Sequence, residues 1–311
     1  MDINALRKMR NNDFGKITDA FDKTANPSSD KKSYVDDRVW KLEPDKAGNA
    51  SATIRFLPRV EGDQLPWVKI FSHAFQGPTG KWYIENSLST PGVDNTPIGD
   101  KDPVGELNSS LWNNGTEAGK EVARKQKRKL TYVCNVLIIS DPKHPENEGQ
   151  VRLFKFGKKI FDKIMDKARP TFEDEKPVNV FDFWEGADFK LKQTKVEGYP
   201  NYDKSTFSEP SPIAESDEEI LEIANKQHKL SELLDAKNFK SYADLKKKLD
   251  SVLSSTGGMS TAEADAADDA PSYAAPTPKS KPAPTPKASK APSMEDDDDS
   301  LSYFQNMANE A

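Results

Sequence analysis

A chain of 311 residues holds one domain of ordinary size, up to about 250 residues, with flanking segments, and excludes several large domains. Hydrophobic residues make up 35% and charged residues 31%, so a long polar segment must dilute a smaller region that has a normal core. The net charge of −6 would exclude a polyanionic partner only if it were evenly mixed, yet Lys120 to Arg169 carries fourteen Lys or Arg against six Asp or Glu, and Ser255 to Ala311 four against ten.

The polar start carries a small basic cluster, Arg7, Lys8 and Arg10, and runs into the loop-like Asn26-Pro27-Ser28-Ser29-Asp30. It reads as a mobile arm, residues 1–24, ahead of a core over 25–254. Structure begins near Val39-Trp40-Lys41-Leu42, turns at Asp45-Lys46-Ala47-Gly48-Asn49 and resumes at Ala52–Leu57, which alternates like a half-buried strand until Pro58 ends it. Further short strands are expected at Trp67–Phe75, Lys81–Glu85, Leu130–Ile139, Val151–Phe156, Val178–Phe183 and Phe189–Val196. Many short strands point to a barrel or sandwich. The stretch from Asn86 to Gly119, rich in Pro and Gly before Leu107, reads as an elaborated loop.

Helix signals are fewer. Lys158–Lys167 places Ile160, Phe161 and Ile164 on one face, and Ser216-Asp217-Glu218-Glu219 is a capping box ahead of Ile220, Leu221 and Ile223. A further pair is expected around Leu230–Leu234 and Tyr242–Leu253, ending at Gly257-Gly258. Residues 255–311 then form a linker of Ala, Ser, Pro, Thr and Lys that offers little to bury, followed by Glu295-Asp296-Asp297-Asp298-Asp299 and the apolar Leu301, Tyr303, Phe304 and Met307. No run approaches the roughly 18 apolar residues that span a bilayer, and Met1-Asp2-Ile3-Asn4 lacks a signal-peptide core, so a soluble intracellular protein is expected. Cys134, the only cysteine, excludes an internal disulfide and reads as a buried thiol.

The strongest functional signal is Arg124-Lys125-Gln126-Lys127-Arg128-Lys129-Leu130-Thr131-Tyr132, where five bases abut a strand that opens with a hydroxyl and a ring. Cations neutralise phosphates and release counterions, and a ring offers a flat face to a base. Aromatics interleave with bases again in Phe154-Lys155-Phe156-Gly157-Lys158-Lys159 and in Gly198-Tyr199-Pro200-Asn201-Tyr202-Asp203-Lys204. Phe154 and Phe156 share strand parity and so one face, and Tyr199 and Tyr202 flank a proline in an expected loop. Trp82 and Arg55 are further candidates for nucleic-acid contact. The histidines His73, His144 and His228 have no metal-spaced partners, and no phosphate-cradling glycine loop occurs, so no enzyme is expected.

Several segments resemble, in order, the single-stranded-DNA-binding, helix-destabilising replication proteins of T-even-type bacteriophages. They include Trp40-Lys41-Leu42, Ile54-Arg55-Phe56-Leu57-Pro58, Gly80-Lys81-Trp82-Tyr83-Ile84-Glu85, Lys127-Arg128-Lys129, Phe156-Gly157-Lys158-Lys159-Ile160, Trp184-Glu185-Gly186-Ala187 and Asn201-Tyr202-Asp203. The resemblance implies an oligonucleotide-binding (OB) barrel core in a mainly β protein with accessory helices. It implies sequence-blind, cooperative binding in phage DNA replication, recombination and repair within the cytoplasm of the bacterial host. It also implies self-association through the arm residues Arg7, Lys8 and Arg10, and an acidic tail, Asp296 to Asp299 with Tyr303 and Phe304, for partners such as polymerase, helicase loader and primase. The zinc module of the family uses one His and three Cys. His73 matches the His, but Ser87, Thr96 and Gly99 stand at the cysteine positions, so no metal or other cofactor is expected. Two other readings stay open: a protein–protein adaptor whose tail recruits partners, and an RNA-coating protein.

Overall fold

A computed structural model describes residues 36–172 and 174–254. The arm residues Arg7, Lys8 and Arg10, the linker, and the acidic end with Asp296, Asp297, Asp298, Asp299, Tyr303 and Phe304 lie outside them. Among the described residues the protein is mainly β with a few helices, the class the sequence led us to expect. The strands are β1 (Val39–Trp40), β2 (Ala50–Phe56), β3 (Trp67–Gln76), β4 (Trp82–Asn86), β5 (Lys129–Ser140), β6 (Val151–Phe156), β7 (Ala187–Val196), β8 (Tyr199–Asn201) and β9 (Thr206–Pro210). The helices are α1 (Pro103–Asn113), α2 (Glu117–Gln126), α3 (Lys158–Ala168), α4 (Asp217–Asn225) and α5 (Tyr242–Leu253), with 3-10 turns at Pro145–Asn147, Leu230–Leu234 and Ala236–Asn238.

The sheet runs β1-β6-β5-β2-β7-β8, with β3 joining β5 and β4, and β9 joining β7. Only the β1–β6 pair is parallel among the described ladders. Strand β5 organises the fold. Lys129 to Cys134 pair with β3 and Val136 to Ser140 with β2, while β6 follows Tyr132 to Leu137 on the opposite edge. A strand that changes partner along one edge carries the sheet around a corner, so β5 is buried on both faces, from Tyr132 through Ile138.

Period-two alternation fills the main core. On β7, Ala187, Phe189, Leu191 and Gln193 are buried while Lys190 and Lys192 are exposed. Phe56, Phe154, Phe156, Tyr132 and Phe189 meet there with Trp40, Cys134 and Ile160. Cys134 is a buried thiol, as its apolar run implied, and burial pushes its pKa well above the usual cysteine value.

Two sequence expectations fail. The stretch 86–119 is not a loop alone: it contains α1 and the start of α2, and α1 packs with the β3–β4 hairpin and α5 around Phe75, Tyr83, Val104, Leu245 and Leu249. Asp102 caps α1 by accepting from the amides of Val104 and Gly105, with Pro103 in the first turn, where its missing N–H costs nothing. The second failure is Val178–Phe183, which forms no strand. Val178, Val180 and Phe181 are buried, but the Val178 amide donates to the Lys167 carbonyl at the end of α3 and the Phe181 amide to the Asn179 side chain. Local partners therefore satisfy the backbone without a ladder.

Candidate nucleic-acid interface

The basic stretch is delivered to the start of β5 by α2. Thr116 caps α2 through Gly119, and Arg124 and Lys125 fall in its last turn, where cations complement the helix dipole. Both are exposed: Arg124 lies over the Trp112 ring at 5.4 Å, as Lys120 does at 5.9 Å, and Lys125 pairs with Glu121 at 3.0 Å. The helix ends at Gln126, whose carbonyl accepts from His73 Nδ1 at 2.8 Å and from Asn108 Nδ2 at 3.2 Å. Lys127, Arg128 and Lys129 then lead into β5 beside β3. Arg128 stacks its guanidinium 4.0 Å above the Phe71 ring and donates to Ser89 Oγ at 2.6 Å.

Directly opposed residues of an antiparallel pair share a face. Register sets Phe71 opposite Leu130 and Lys69 opposite Tyr132, so Lys69, Phe71, Leu130 and Tyr132 line one side of the β3–β5 pair, with Lys69 exposed and Phe71 and Leu130 half-buried. Helix α3 borders the same place. Its Phe161 stacks on Tyr132 at 4.0 Å with the planes 5° apart, and Lys158 and Lys159 are exposed in its first turn, Lys158 within 3.4 Å of Asp162. Lys163, in the next turn, donates to the Asp203 carbonyl at 3.0 Å, which ties α3 to the segment after β8. Tyr202 is half-buried there, its hydroxyl 3.1 Å from Gln193 Oε1, while Tyr199 stands 60% exposed at the β7–β8 tip.

The structure thus links the three basic–aromatic segments through β3, β5 and α3, but it redistributes their rings. Tyr132, Phe154 and Phe156 are core residues, 5–6% exposed. Phe154 lies against Trp40, Phe156 against Phe56, and Tyr132 is stacked between Phe156 and Phe161. Their shared parity is real, but it points them inward, where no base can reach a face. Arg55 is likewise corrected. It is fully buried, paired with Asp188 at 3.2 Å and donating to the carbonyls of Asp182 at 3.2 Å and Ser211 at 2.6 Å. Burial lowers its pKa, and Asp188 opposes that shift. Gly186 makes the room, since a Cβ there would lie 2.3 Å from the Asp182 carbonyl oxygen. Trp82 is 42% exposed at the start of β4, opposite Gln76 and four residues along β3 from Ser72, the partner of Lys129. That spacing is about 13 Å.

Among known proteins, the family described as gp32 DNA binding protein like matches residues 48–253. The chain belongs to this family. A protein of Enterobacteria phage T2 named "Single-stranded DNA-binding protein" is 40% identical over 239 residues, which cover 76% of this chain and 76% of the relative. Its namesake from Enterobacteria phage T4 is 38% identical over 242 residues, 76% of this chain and 77% of the relative.

For this gp32-like chain, the zinc module that the T-even resemblance implies can be tested against the donors present. His73 is 1% exposed and its Nδ1 proton is committed to the Gln126 carbonyl, while Nε2 faces Asp102 Oδ1 at 3.4 Å. Ser87 donates to Asp102 Oδ2 at 2.8 Å, Thr96 Oγ1 is bonded to Asp94 at 2.7 Å, and Gly99 offers no side chain. Structural zinc requires four nitrogen or thiolate donors, so these residues do not fit it. In their place stands Asp102. Burial alone would raise its pKa, but His73, the Gly105 amide and the Ser87 hydroxyl outweigh burial and hold it at about 2, keeping the carboxylate ionised.

Phe71, Lys69 and Trp112 stand beside the basic residues of the candidate interface and were not singled out from the sequence. A signal existed for the first two, since alternation along Trp67–Phe75 sets Lys69 and Phe71 on one face. Trp112 lay in an unrecognised helix.

Proposed function

We propose that this chain coats single-stranded DNA cooperatively and without sequence preference during phage DNA replication, recombination and repair. The observation that carries the reading is the placement of Arg128 and Lys69 with the half-buried Phe71 on one side of the β3–β5 pair, beside α3, whose first turn exposes Lys158 and Lys159 and whose Phe161 stacks on Tyr132. Cations hold phosphates, half-buried and exposed rings stack on bases, and neither contact reads sequence. Tyr199 and Trp82 supply exposed rings beyond this centre. The partner change along β5 supports an OB barrel, in which such grooves bind single strands.

Three regions divide the work: residues 1–24 as the arm for self-association, 25–254 as the DNA-binding core, and 255–311 as a linker and acidic tail. The tail recruits replication proteins and competes with DNA for the basic face. The role is one of binding, not catalysis. Among the described residues no helix is long and apolar enough to cross a membrane. Titration with a single-stranded oligonucleotide, its duplex and the matching RNA tests the reading. Single-stranded DNA of any sequence should bind well ahead of duplex, whereas equal affinity for duplex, or preference for RNA, would overturn it.

A further inference from the structure

We propose that Asp102 is a positioning residue for DNA binding, which fixes Arg128 through a relay of two serine hydroxyls. The inference rests on the reading that Arg128 meets phosphate. Asp102 is 8% exposed and its two oxygens collect five contacts. Oδ1 accepts from the Val104 and Gly105 amides, each at 3.0 Å, and faces His73 Nε2 at 3.4 Å. Oδ2 accepts from Ser87 Oγ at 2.8 Å and the Leu88 amide at 3.0 Å.

Proton accounting gives the relay a direction. An ionised carboxylate only accepts, so the single Ser87 hydroxyl proton is spent on Asp102. In the 2.8 Å contact between Ser87 Oγ and Ser89 Oγ, Ser87 must then accept and Ser89 donate. That leaves the Ser89 oxygen to accept from Arg128 Nη1, the contact of 2.6 Å. Every donor in the chain from Arg128 through Ser89 and Ser87 points toward Asp102, with a cation at one end and an anion at the other. Hydrogen bonds aligned in this way polarise and strengthen one another. Asp102 therefore reaches the guanidinium of Arg128 without approaching DNA itself.

An arginine held over Phe71 in this way has lost its rotamer freedom before phosphate arrives, which favours binding. The test compares Arg128→Ala, Ser89→Ala, Ser89→Thr and Asp102→Asn by single-stranded DNA affinity over a range of salt, alongside thermal unfolding. Ser89→Ala should weaken binding at low salt about three- to tenfold, the worth of one hydrogen bond, and make the salt slope shallower, with the unfolding temperature unchanged. Ser89→Thr, which keeps the hydroxyl, should restore both. Asp102→Asn should reproduce the binding loss and also lower the unfolding temperature. If Arg128→Ala keeps the wild-type slope, the reading of Arg128 as a phosphate contact fails, whatever the relay does. If Arg128→Ala flattens the slope while Ser89→Ala and Asp102→Asn bind like the parent protein, the interface stands and the relay is overturned.

Discussion

Arg55 separates the two roles that an arginine on a strand of a nucleic-acid-binding protein can take. Its guanidinium is fully buried on β2 and joins Asp188, the Asp182 carbonyl and the Ser211 carbonyl, which belong to three stretches of chain brought together at the start of β7. Replacing Arg55 by Ala removes the cation from this pocket and strands three acceptors. Breaking a buried pair by removing one partner costs about 3–5 kcal/mol. The Asp188 side chain is 29% exposed and can rehydrate, which points to the lower end, about 3 kcal/mol. For a domain of this size that loss lowers the unfolding temperature by roughly 6–12 °C. The variant should still bind single-stranded DNA with the parent salt slope when both proteins are folded, because Arg55 holds no phosphate. Thermal unfolding and a salt titration of binding supply the two readouts. An unchanged unfolding temperature with a slope shallower by about 0.7, one phosphate contact on a single strand, would refute the structural assignment.

Elemental analysis of the purified protein should find no stoichiometric zinc, and a chelator should leave its unfolding temperature unchanged. One zinc per chain retained through dialysis would contradict the donor set described around Asp102. Truncation after Met259 removes Asp296 to Asp299 and should tighten single-stranded DNA binding, most at low salt, where screening of the competing carboxylates is weakest. If the truncated and intact proteins bind equally at low salt, the tail does not compete for the basic face.

What could be read without coordinates follows the reach of each signal. Strands with clean alternation, such as the one that contains Ala52-Thr53-Ile54-Arg55-Phe56, and helices with a marked start, such as the one capped by Ser216, depend on neighbouring residues and were legible. Asp102-Pro103 also marks a helix start, but the surrounding Pro and Gly read as turns, because its apolar residues Val104 and Leu107 find their partners on the distant β3–β4 hairpin and α5. The basic residues of the candidate interface could be grouped from the sequence because charge clusters locally. The rings were not: period two shows that Phe154 and Phe156 share a face, but only the closure of the sheet around Phe56 decides that the face is inside. Arg55 could not be assigned either, since the groups that neutralise it lie more than a hundred residues away in sequence.

The account stands most directly on Lys127, Arg128 and Lys129 at the entry to β5. Binding of the parent protein and of the triple Ala variant to several single-stranded oligonucleotides of unrelated sequence, measured across a range of salt, tests it. Losing three phosphate contacts should make the slope of log affinity against log salt shallower by about 2, since each contact on a single strand contributes about 0.7. The loss should be equal for every sequence, because phosphate contacts carry no base information. A triple variant that keeps both the affinity and the slope of the parent would place the DNA elsewhere on the molecule and contradict the interface.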